Sequence, residues 1–301
     1  MSGEPDDFLL PDGTLARGGL LPQTAADEAL VAAAPMFPED MLLDDKDISK
    51  LLSGDVYKSW RNIRSKWVIN QGSLGSCNAA ATVGAIHNRR ALEGLAHVPL
   101  SVNYLYMHIN GGRDGGSTLA AGIEFAKQGV APLTIKHDGD TWNFPLSVYN
   151  TRQVDQTWLK RAREESKGFQ AFEPYKLPVG NYTLFKRAVA SALARDFQIV
   201  HAWHVGRNSM SLRNGRIVVG RGPGNHATLA HSAKWVGGTD LALIDIQNSW
   251  GPSANPIYGA RTSGWGEGGF GLMTMEDFYA CAKNHAYWVY AGSKKNKNSM
   301  N

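Results

Sequence analysis

Cys77 is the residue of this sequence that is best placed to act as a nucleophile. It follows a glycine-rich segment, Gln71 to Ser76, and the residues after it, 78–87, are typical of a helix. A thiol at a helix N-terminus faces unpaired backbone N–H groups and the positive end of the helix dipole, and both favour the thiolate. A small buried cysteine at the start of a core helix fits equally well, because free cysteine is among the most buried residue types. The pattern alone leaves both interpretations open.

A nucleophilic thiol needs a base, and the base needs a third group that fixes its orientation. His226 and Asn248 are candidates because each lies in a strand-like run, and the glycines at 237–238 can join the two runs as a two-residue hairpin turn. That turn would place His226 opposite Ser249, one step from Asn248. The Asn side chain could then hold the ring N–H of the imidazole, and Trp250 would shield this hydrogen bond from water.

Four blocks of the sequence, taken in order, resemble the papain-like cysteine peptidases. They are the segment from Gln71 to Cys77, the His-Ala pair at 226–227, the segment from Asn248 to Gly251, and the segment from Gly264 to Phe270. The match continues between these blocks. Trp60-Arg61 stands where the family has a Trp-Arg pair, and Asp114-Gly115-Gly116 resembles the family's Asn-Gly-Gly.

The resemblance implies a role for each polar residue of these blocks. Cys77 would be the nucleophile, and His226 would be its base and then the acid that protonates the leaving amine. Asn248 would orient the imidazole. The side chain of Gln71 and the backbone N–H of Cys77 would form an oxyanion hole, which typically contributes roughly 10²–10³ in rate per donor.

Three residues are expected to line the substrate site: Gly115, Gly116 and Trp250. The two glycines would present bare backbone to an extended peptide, a binding mode that side chains would obstruct. The expected partner is therefore a peptide or protein substrate, and neither a metal nor a cofactor is expected.

His231 is an alternative base, 17 residues before Asn248. It differs from His226 by an odd number of positions and would point to the opposite face of the strand. The tight glycine turn favours His226, and so does its distance of 149 residues from Cys77, within the ~130–150 typical of the family. Asp245 is expected to be a structural or surface residue, because Asn248 already fills the orienting position.

The sequence departs from the family pattern on both sides of the nucleophile. Leu74 stands where secreted members have a disulfide cysteine, and Asn78 replaces the usual Trp. Residues 252–263 are an insertion before Trp265, and we expect them to form a loop over the leaving-group side of the cleft.

The implied fold is α+β and papain-like, with two lobes and the active-site cleft between them. The papain-like domain would span 53–292, with a helical lobe at about 66–168 and an antiparallel, β-barrel-like lobe at about 169–292. The pattern predicts helices at 77–93, 118–128, 152–166 and 182–194. Residues 293–301 read as a basic flexible tail.

Residues 1–52 read as an extended arm in which only 24–34 could form a short helix. The arm is too short to resemble a full papain-type inhibitory pro-region. It could strap the main domain, act as a short inhibitory segment, or dock into a larger assembly.

Composition narrows the function classes further. A net charge of only +4 and scattered basic residues make nucleic acid a poor partner. No apolar run approaches the ~20 residues of a membrane span, and the start lacks the features of a secretory signal. Two cysteines 204 positions apart give neither a disulfide framework nor a zinc motif. We expect a protein of the cytoplasm or another reducing compartment, free or as part of a particle.

The resemblance implies a papain-like cysteine endopeptidase, a thiol hydrolase that cleaves peptide or isopeptide bonds through an acyl-enzyme on Cys77. One alternative is a papain-fold structural or binding module of a larger assembly, for example a virion particle, with weak or lost activity. Another is acyl transfer from the same thioester to an amine.

Overall fold

The structure, a computed structural model, describes residues 7–9, 15–54, 68–172, 174–206, 212–235, 242–251, 265–266, 268–282, 285, 287–290 and 292–293. Several features of the sequence lie outside these residues: Trp60-Arg61, the Gly237-Gly238 turn, the 252–263 insertion, Gly264, and the tail beyond 293.

The N-terminal arm carries regular structure along most of its described length. Its elements are β1 (Asp7–Leu9), β2 (Leu15–Arg17), α1 (Ala25–Ala33) and α2 (Asp45–Leu51), with a 3-10 turn at Glu39–Met41. A capping box between Thr24 and Asp27 starts α1, which confirms the short helix predicted there. The expectation that the arm has no other helix was wrong, because Asp44 caps α2.

Helices dominate the next part of the chain. The described residues form α3 (Cys77–Leu92), α4 (Val102–Ile109), α5 (Leu119–Ala126) and α6 (Gln156–Ser166), together with the hairpin of β3 (Thr134–His137) and β4 (Asp140–Asn143). A 3-10 turn at Thr151–Gln153 precedes α6. Thr118 caps α5, and Gly94, with a φ of +68°, follows the end of α3. The predicted helices are therefore present, with ends shifted by a few residues.

An antiparallel sheet forms the core of the C-terminal part. The elements of this part of the chain are β5 (Ala171–Phe172), β6 (Tyr175–Lys176), α7 (Tyr182–Ala194), β7 (Gln198–Trp203), β8 (His226–Trp235), β9 (Ala242–Gln247), β10 (Phe270–Thr274), α8 (Met275–Ala282), β11 (Trp288–Tyr290) and β12 (Gly292–Ser293). Within the described residues, six strands pair in the order β10-β9-β8-β7-β11-β6. Asn181 caps α7 as predicted. The overall class is α+β, as the sequence predicted.

The register of β8 against β9 differs from the prediction. Leu229 pairs with Gln247, and the register then shifts between Ala230 and Ser232. If this register continues by one residue, Asn248 lies opposite Thr228. Thr228 is two positions from His226 in β8, so Asn248 and His226 lie on the same face of the sheet. The predicted register would have put Asn248 on the other face. Two differences from the predicted pairing produce this result, and neither leaves a mark in the sequence pattern. Trp235 pairs with Ala242, where the predicted turn would have paired it with residue 240, and the shift between Ala230 and Ser232 then moves Asn248 to the face of His226.

The helix α3 is buried on nearly all sides because it packs against helices and sheet together. Small residues allow this: a Cβ atom added to Gly84 would lie only 3.3 Å from the Leu229 side chain in β8. No helix among the described residues has both the length and the apolar character of a membrane span.

The arm packs into the hydrophobic core of the rest of the chain. Phe37 is 6% exposed, and its ring lies 6.2 Å from Tyr175 and 6.5 Å from Phe197. Asp27 accepts a hydrogen bond from the hydroxyl of Thr118 at the start of α5 (2.9 Å). The arm is thus attached to both the helical part and the sheet.

If the arm is part of the folded core, Phe37→Ala will lower the free energy of unfolding by about 3 kcal/mol, since it leaves a cavity at a buried aromatic site. Met36→Ala is a matched control, because Met36 is its neighbour and is 44% exposed. Equilibrium urea unfolding of the full chain measures both. Equal, small effects of the two substitutions would mean that the arm does not contribute to the core.

Candidate active site

Cys77 lies at the first position of α3, as predicted, but its thiol is fully buried. Burial raises the pKa of Cys77 to about 11, although backbone hydrogen bonds from Ala227, Gly19 and Asn78 act to lower it. The expectation that the helix N-terminus would favour the thiolate is therefore wrong for this state of the protein. Loss of solvation outweighs the helix terminus, and the arm contributes to that loss because Gly19 touches the thiol.

His226 and Asn248 form the pair that the sequence predicted. The Nε2–H group of His226 donates to Oδ1 of Asn248 at 2.8 Å, and both side chains are buried. The ring of Trp250 stacks on the imidazole, with centroids 4.2 Å apart and planes tilted by 23°. Asn248 Oδ1 is held in place by a second hydrogen bond, from the backbone N–H of Ser249 at 2.7 Å.

The other imidazole nitrogen of His226, Nδ1, is the one that can exchange a proton with a reacting group. It has no hydrogen-bond partner among the described residues. The thiol of Cys77 contacts the backbone of Ala227, the residue after His226. Burial lowers the pKa of His226 to about 4, against the hydrogen bond to Asn248, which acts to raise it. The imidazole and the Cys77 thiol are accordingly both neutral at pH 7.

The side chain of Gln71 lies next to these groups and is fixed at both ends. Its Oε1 accepts from the hydroxyl of Ser249 at 2.5 Å, and its Nε2 donates to the carbonyl oxygens of Leu74 and Arg17, each at 2.8 Å. A fixed amide N–H that already holds a backbone carbonyl oxygen is the arrangement that an oxyanion hole requires. No sequence pattern indicated that Ser249 would hold Gln71.

His231 does not approach Asn248. Its Nε2 lies 3.1 Å from a carboxylate oxygen of Asp245, and both side chains are fully buried between strands. Asp245 was expected to be a structural or a surface residue, and it is a buried structural residue. Of the two candidate histidines, the structure brings only His226 to the predicted orienting residue.

The segment at 114–117 lines the cleft, but its two glycines behave differently. The N–H of Gly116 donates to the hydroxyl of Tyr106 at 3.1 Å, and a Cβ there would lie 2.3 Å from the carbonyl oxygen of Gly19. A Cβ on Gly115 would meet only the side chain of Arg113. The backbone pairing with the arm is made by Ser117, the residue that follows the two glycines.

Residues 17–21 of the arm run through the cleft and occupy it. Ser117 donates its N–H to Gly19 O (2.8 Å) and accepts from the N–H of Leu21 (3.0 Å), which is parallel pairing. On the opposite wall, the N–H of Leu20 donates to Asn225 O at 3.2 Å. The carbonyl oxygen of Arg17 accepts a hydrogen bond from the side-chain amide of Gln71.

Glycine is required where the arm passes the thiol. A Cβ on Gly19 would lie 1.9 Å from the carbonyl oxygen of Gly75, so backbone packs directly on backbone. Further along the arm, the ring of Phe8 in β1 lies 5.9 Å from Trp250. Sequence reasoning left an inhibitory segment as one of three roles for the arm and did not identify the residues that enter the cleft; the adjacent glycines at 18–19 were the available signal.

Asn78, which replaces the family's Trp, points away from the cleft. Its Nδ2 donates to the carbonyl of Thr118 (2.6 Å) and to the hydroxyl of Ser117 (3.2 Å). The residue after Cys77 therefore joins α3 to the segment that pairs with the arm.

Solved structures that share this fold are cysteine proteases. Xylellain, a cysteine protease from Xylella fastidiosa, is 17% identical, with a TM-score of 0.54 over 92% of this chain and 96% of that one. Procathepsin B S9 from Trypanosoma congolense is 14% identical, with a TM-score of 0.54 over 92% and 86%. Digestive procathepsin L 3 of Tenebrio molitor larval midgut is 17% identical, with a TM-score of 0.51 over 74% and 66%.

These similarities confirm the papain-like cysteine protease fold predicted from the sequence. The chain spans less than two thirds of the Tenebrio proenzyme. No protein-family model and no curated protein sequence matches the chain.

Because the arm buries the thiol, Gly19→Val will speed alkylation of Cys77 by iodoacetamide at pH 7.5. The added side chain cannot fit against Gly75, and each unit by which the thiol pKa falls from about 11 raises the thiolate fraction about tenfold. In the wild type, the alkylation rate will still be rising at pH 10. Peptide mass spectrometry measures labelling at Cys77.

Gly180→Val is the matched control, since a Cβ at Gly180 meets no atom within 4 Å. Cys281 serves as an internal reference whose labelling the arm variant should not change. Equal Cys77 labelling in wild type and Gly19→Val would show that the arm does not protect the thiol.

Proposed function

We propose that this protein is a cysteine peptidase that hydrolyses peptide or isopeptide bonds through an acyl-enzyme on Cys77. The observation that carries the proposal is the buried hydrogen bond from His226 to Asn248, stacked under Trp250. It fixes Nε2 as a donor and leaves Nδ1 as the basic nitrogen, beside the thiol at the start of α3. The papain-like fold supports the same reaction class.

In the proposed reaction, Nδ1 of His226 takes the thiol proton, and the sulfur of Cys77 attacks the scissile carbonyl. The oxyanion accepts hydrogen bonds from Nε2 of Gln71 and from the backbone N–H of Cys77. Nδ1 then gives its proton to the leaving amine, which departs and leaves a thioester. A water, deprotonated by the same nitrogen, attacks the thioester, releases the acid and restores the thiol.

The arm must leave the cleft before a substrate can bind. The carbonyl oxygen of Arg17 accepts a hydrogen bond from the side-chain amide of Gln71. The carbonyl oxygen of Gly19 accepts from the N–H of Ser117, which an extended substrate peptide would otherwise use. With the arm in place, thiol and imidazole are both buried and neutral, since a buried charge is costly. We infer that water entering as the arm moves lowers the thiol pKa and raises the imidazole pKa, so that the reactive ion pair forms.

The same occupancy favours a second candidate, a papain-fold module with weak or lost activity whose arm stays in the cleft. Freeing the cleft in the intact chain separates the two candidates, because a peptidase gains turnover of peptides whereas a binding module does not. Docking of the arm into a larger assembly belongs to this second candidate.

In the Gly19→Val chain, we expect turnover of fluorogenic peptides that exceeds the wild-type rate. Cys77→Ala in that background will abolish it, and His226→Ala will lower kcat/KM by about 10³, the typical contribution of a general acid–base. His231→Gln will weaken folding, because it breaks the buried pair with Asp245, but will leave kcat within about threefold. Initial rates, together with thermal unfolding of each variant, measure these effects.

Loss of turnover in His231→Gln with full turnover in His226→Ala would reverse the choice of base. A folded Gly19→Val chain whose thiol reacts with iodoacetamide but which turns over no peptide would favour the binding module. Should Gly19→Val fail to fold, Arg17→Ala weakens the hold of the arm without adding volume, since it removes the ion pair with Asp114, and it serves the same comparison.

A further inference from the structure

Asp114 holds the side chain of the arm residue whose carbonyl lies at the candidate oxyanion donor. Its Oδ2 lies 3.1 Å from Nη1 of Arg17, and the carbonyl of Arg17 accepts from Gln71 Nε2 at 2.8 Å. One residue therefore spans both sites, with its carbonyl at Gln71 and its guanidinium at Asp114. Arg17 thus shows that an arginine residue can bind Gln71 with its carbonyl and Asp114 with its side chain at the same time.

The carboxylate of Asp114 is oriented by groups other than Arg17. Its Oδ1 accepts from the hydroxyl of Tyr106 at 2.6 Å and from the backbone N–H of Gly75 at 2.9 Å. Burial and the adjacent carboxylate raise the pKa of Tyr106, so this hydroxyl stays protonated and remains a donor. Both fixed bonds use the same oxygen, and Oδ2 faces the cleft, where the side chain of Asp114 is 18% exposed.

The charge at this position belongs to this chain and not to the motif that it resembles. The papain-like motif has Asn-Gly-Gly where this sequence has Asp114-Gly115-Gly116. An amide can accept from Tyr106 and Gly75 just as a carboxylate does, so these structural bonds do not require a negative charge. The contact that uses the charge is the one with the guanidinium of Arg17.

We propose that Asp114 selects substrates with a basic side chain, Arg above Lys, at the residue that supplies the scissile carbonyl. The inference rests on the proposed peptidase function and adds a substrate class to it. When Arg17 leaves with the arm, Asp114 Oδ2 loses its cation in a partly buried setting. A substrate Arg whose carbonyl lies at Gln71 restores that pair, whereas Gln or Leu leaves the carboxylate without one.

The test uses the full-length Gly19→Val chain and matched fluorogenic peptides with Arg, Lys, Gln or Leu at that residue. We expect kcat/KM for Arg to exceed that for Gln by about tenfold, the size of one charge-assisted hydrogen bond in a partly exposed site. Asp114→Asn keeps the shape and the Oδ1 acceptor, and it will reduce the ratio to about one while the Gln peptide changes by less than about twofold. Asp140→Asn, at an exposed carboxylate of β4, is the control that keeps the Arg preference.

A second measurement separates this inference from the proposed function. In the Gly19→Val, Cys77→Ala chain, fluorescence anisotropy measures binding of the Arg and Gln peptides without chemistry. Tighter binding of Arg that Asp114→Asn abolishes supports the selection by Asp114, even if no peptide is turned over, in which case the peptidase proposal alone fails. Equal kcat/KM for all peptides, or an Arg preference that survives Asp114→Asn, overturns the inference. If Gly19→Val does not fold, Arg17→Ala replaces it in both measurements.

Discussion

The close packing of α3 against the central strand β8 is the contact on which the candidate site depends. It is possible because α3 carries small residues on the side that meets the sheet; at Gly84 even one added carbon would press on Leu229. This contact joins the helical part to the sheet and sets the thiol of Cys77 beside the backbone of Ala227. Since His226 is the next residue, the candidate nucleophile and the candidate base are brought into one region by helix–sheet packing and not by any local motif.

The arm also packs with its backbone directly against the backbone of the rest of the chain. A Cβ atom on Gly19 would overlap the backbone of Gly75, and one on Gly116 would overlap the backbone of Gly19, so only glycine at these two positions lets the arm reach the thiol itself. Removing water from the thiol and the imidazole of His226 disfavours both charged forms. A chain segment without any charged group at the thiol therefore holds the site in a neutral state through desolvation.

Much of the fold was predictable because its signals are local. Asn181 and Thr118 cap helices through hydrogen bonds to residues three positions later, and such bonds can be read from the sequence. The order of the Cys, His and Asn blocks was also visible, and the structure brings His226 to Asn248. The predicted register of β8 against β9 was wrong, since neither the pairing of Trp235 with Ala242 nor the shift after Ala230 can be read from the alternation of residues.

The sequence by itself determined which residues are available for chemistry, where the main helices begin, and that the fold is α+β. Only the tertiary structure decided that the arm fills the cleft, that Asp114 faces Arg17, and that the Cys77 pKa is raised and not lowered. The physical reason is the separation along the sequence of the residues that interact. Helix caps and turns depend on neighbours along the chain, whereas burial, strand register and ion pairs depend on residues that are distant in sequence and close only after folding.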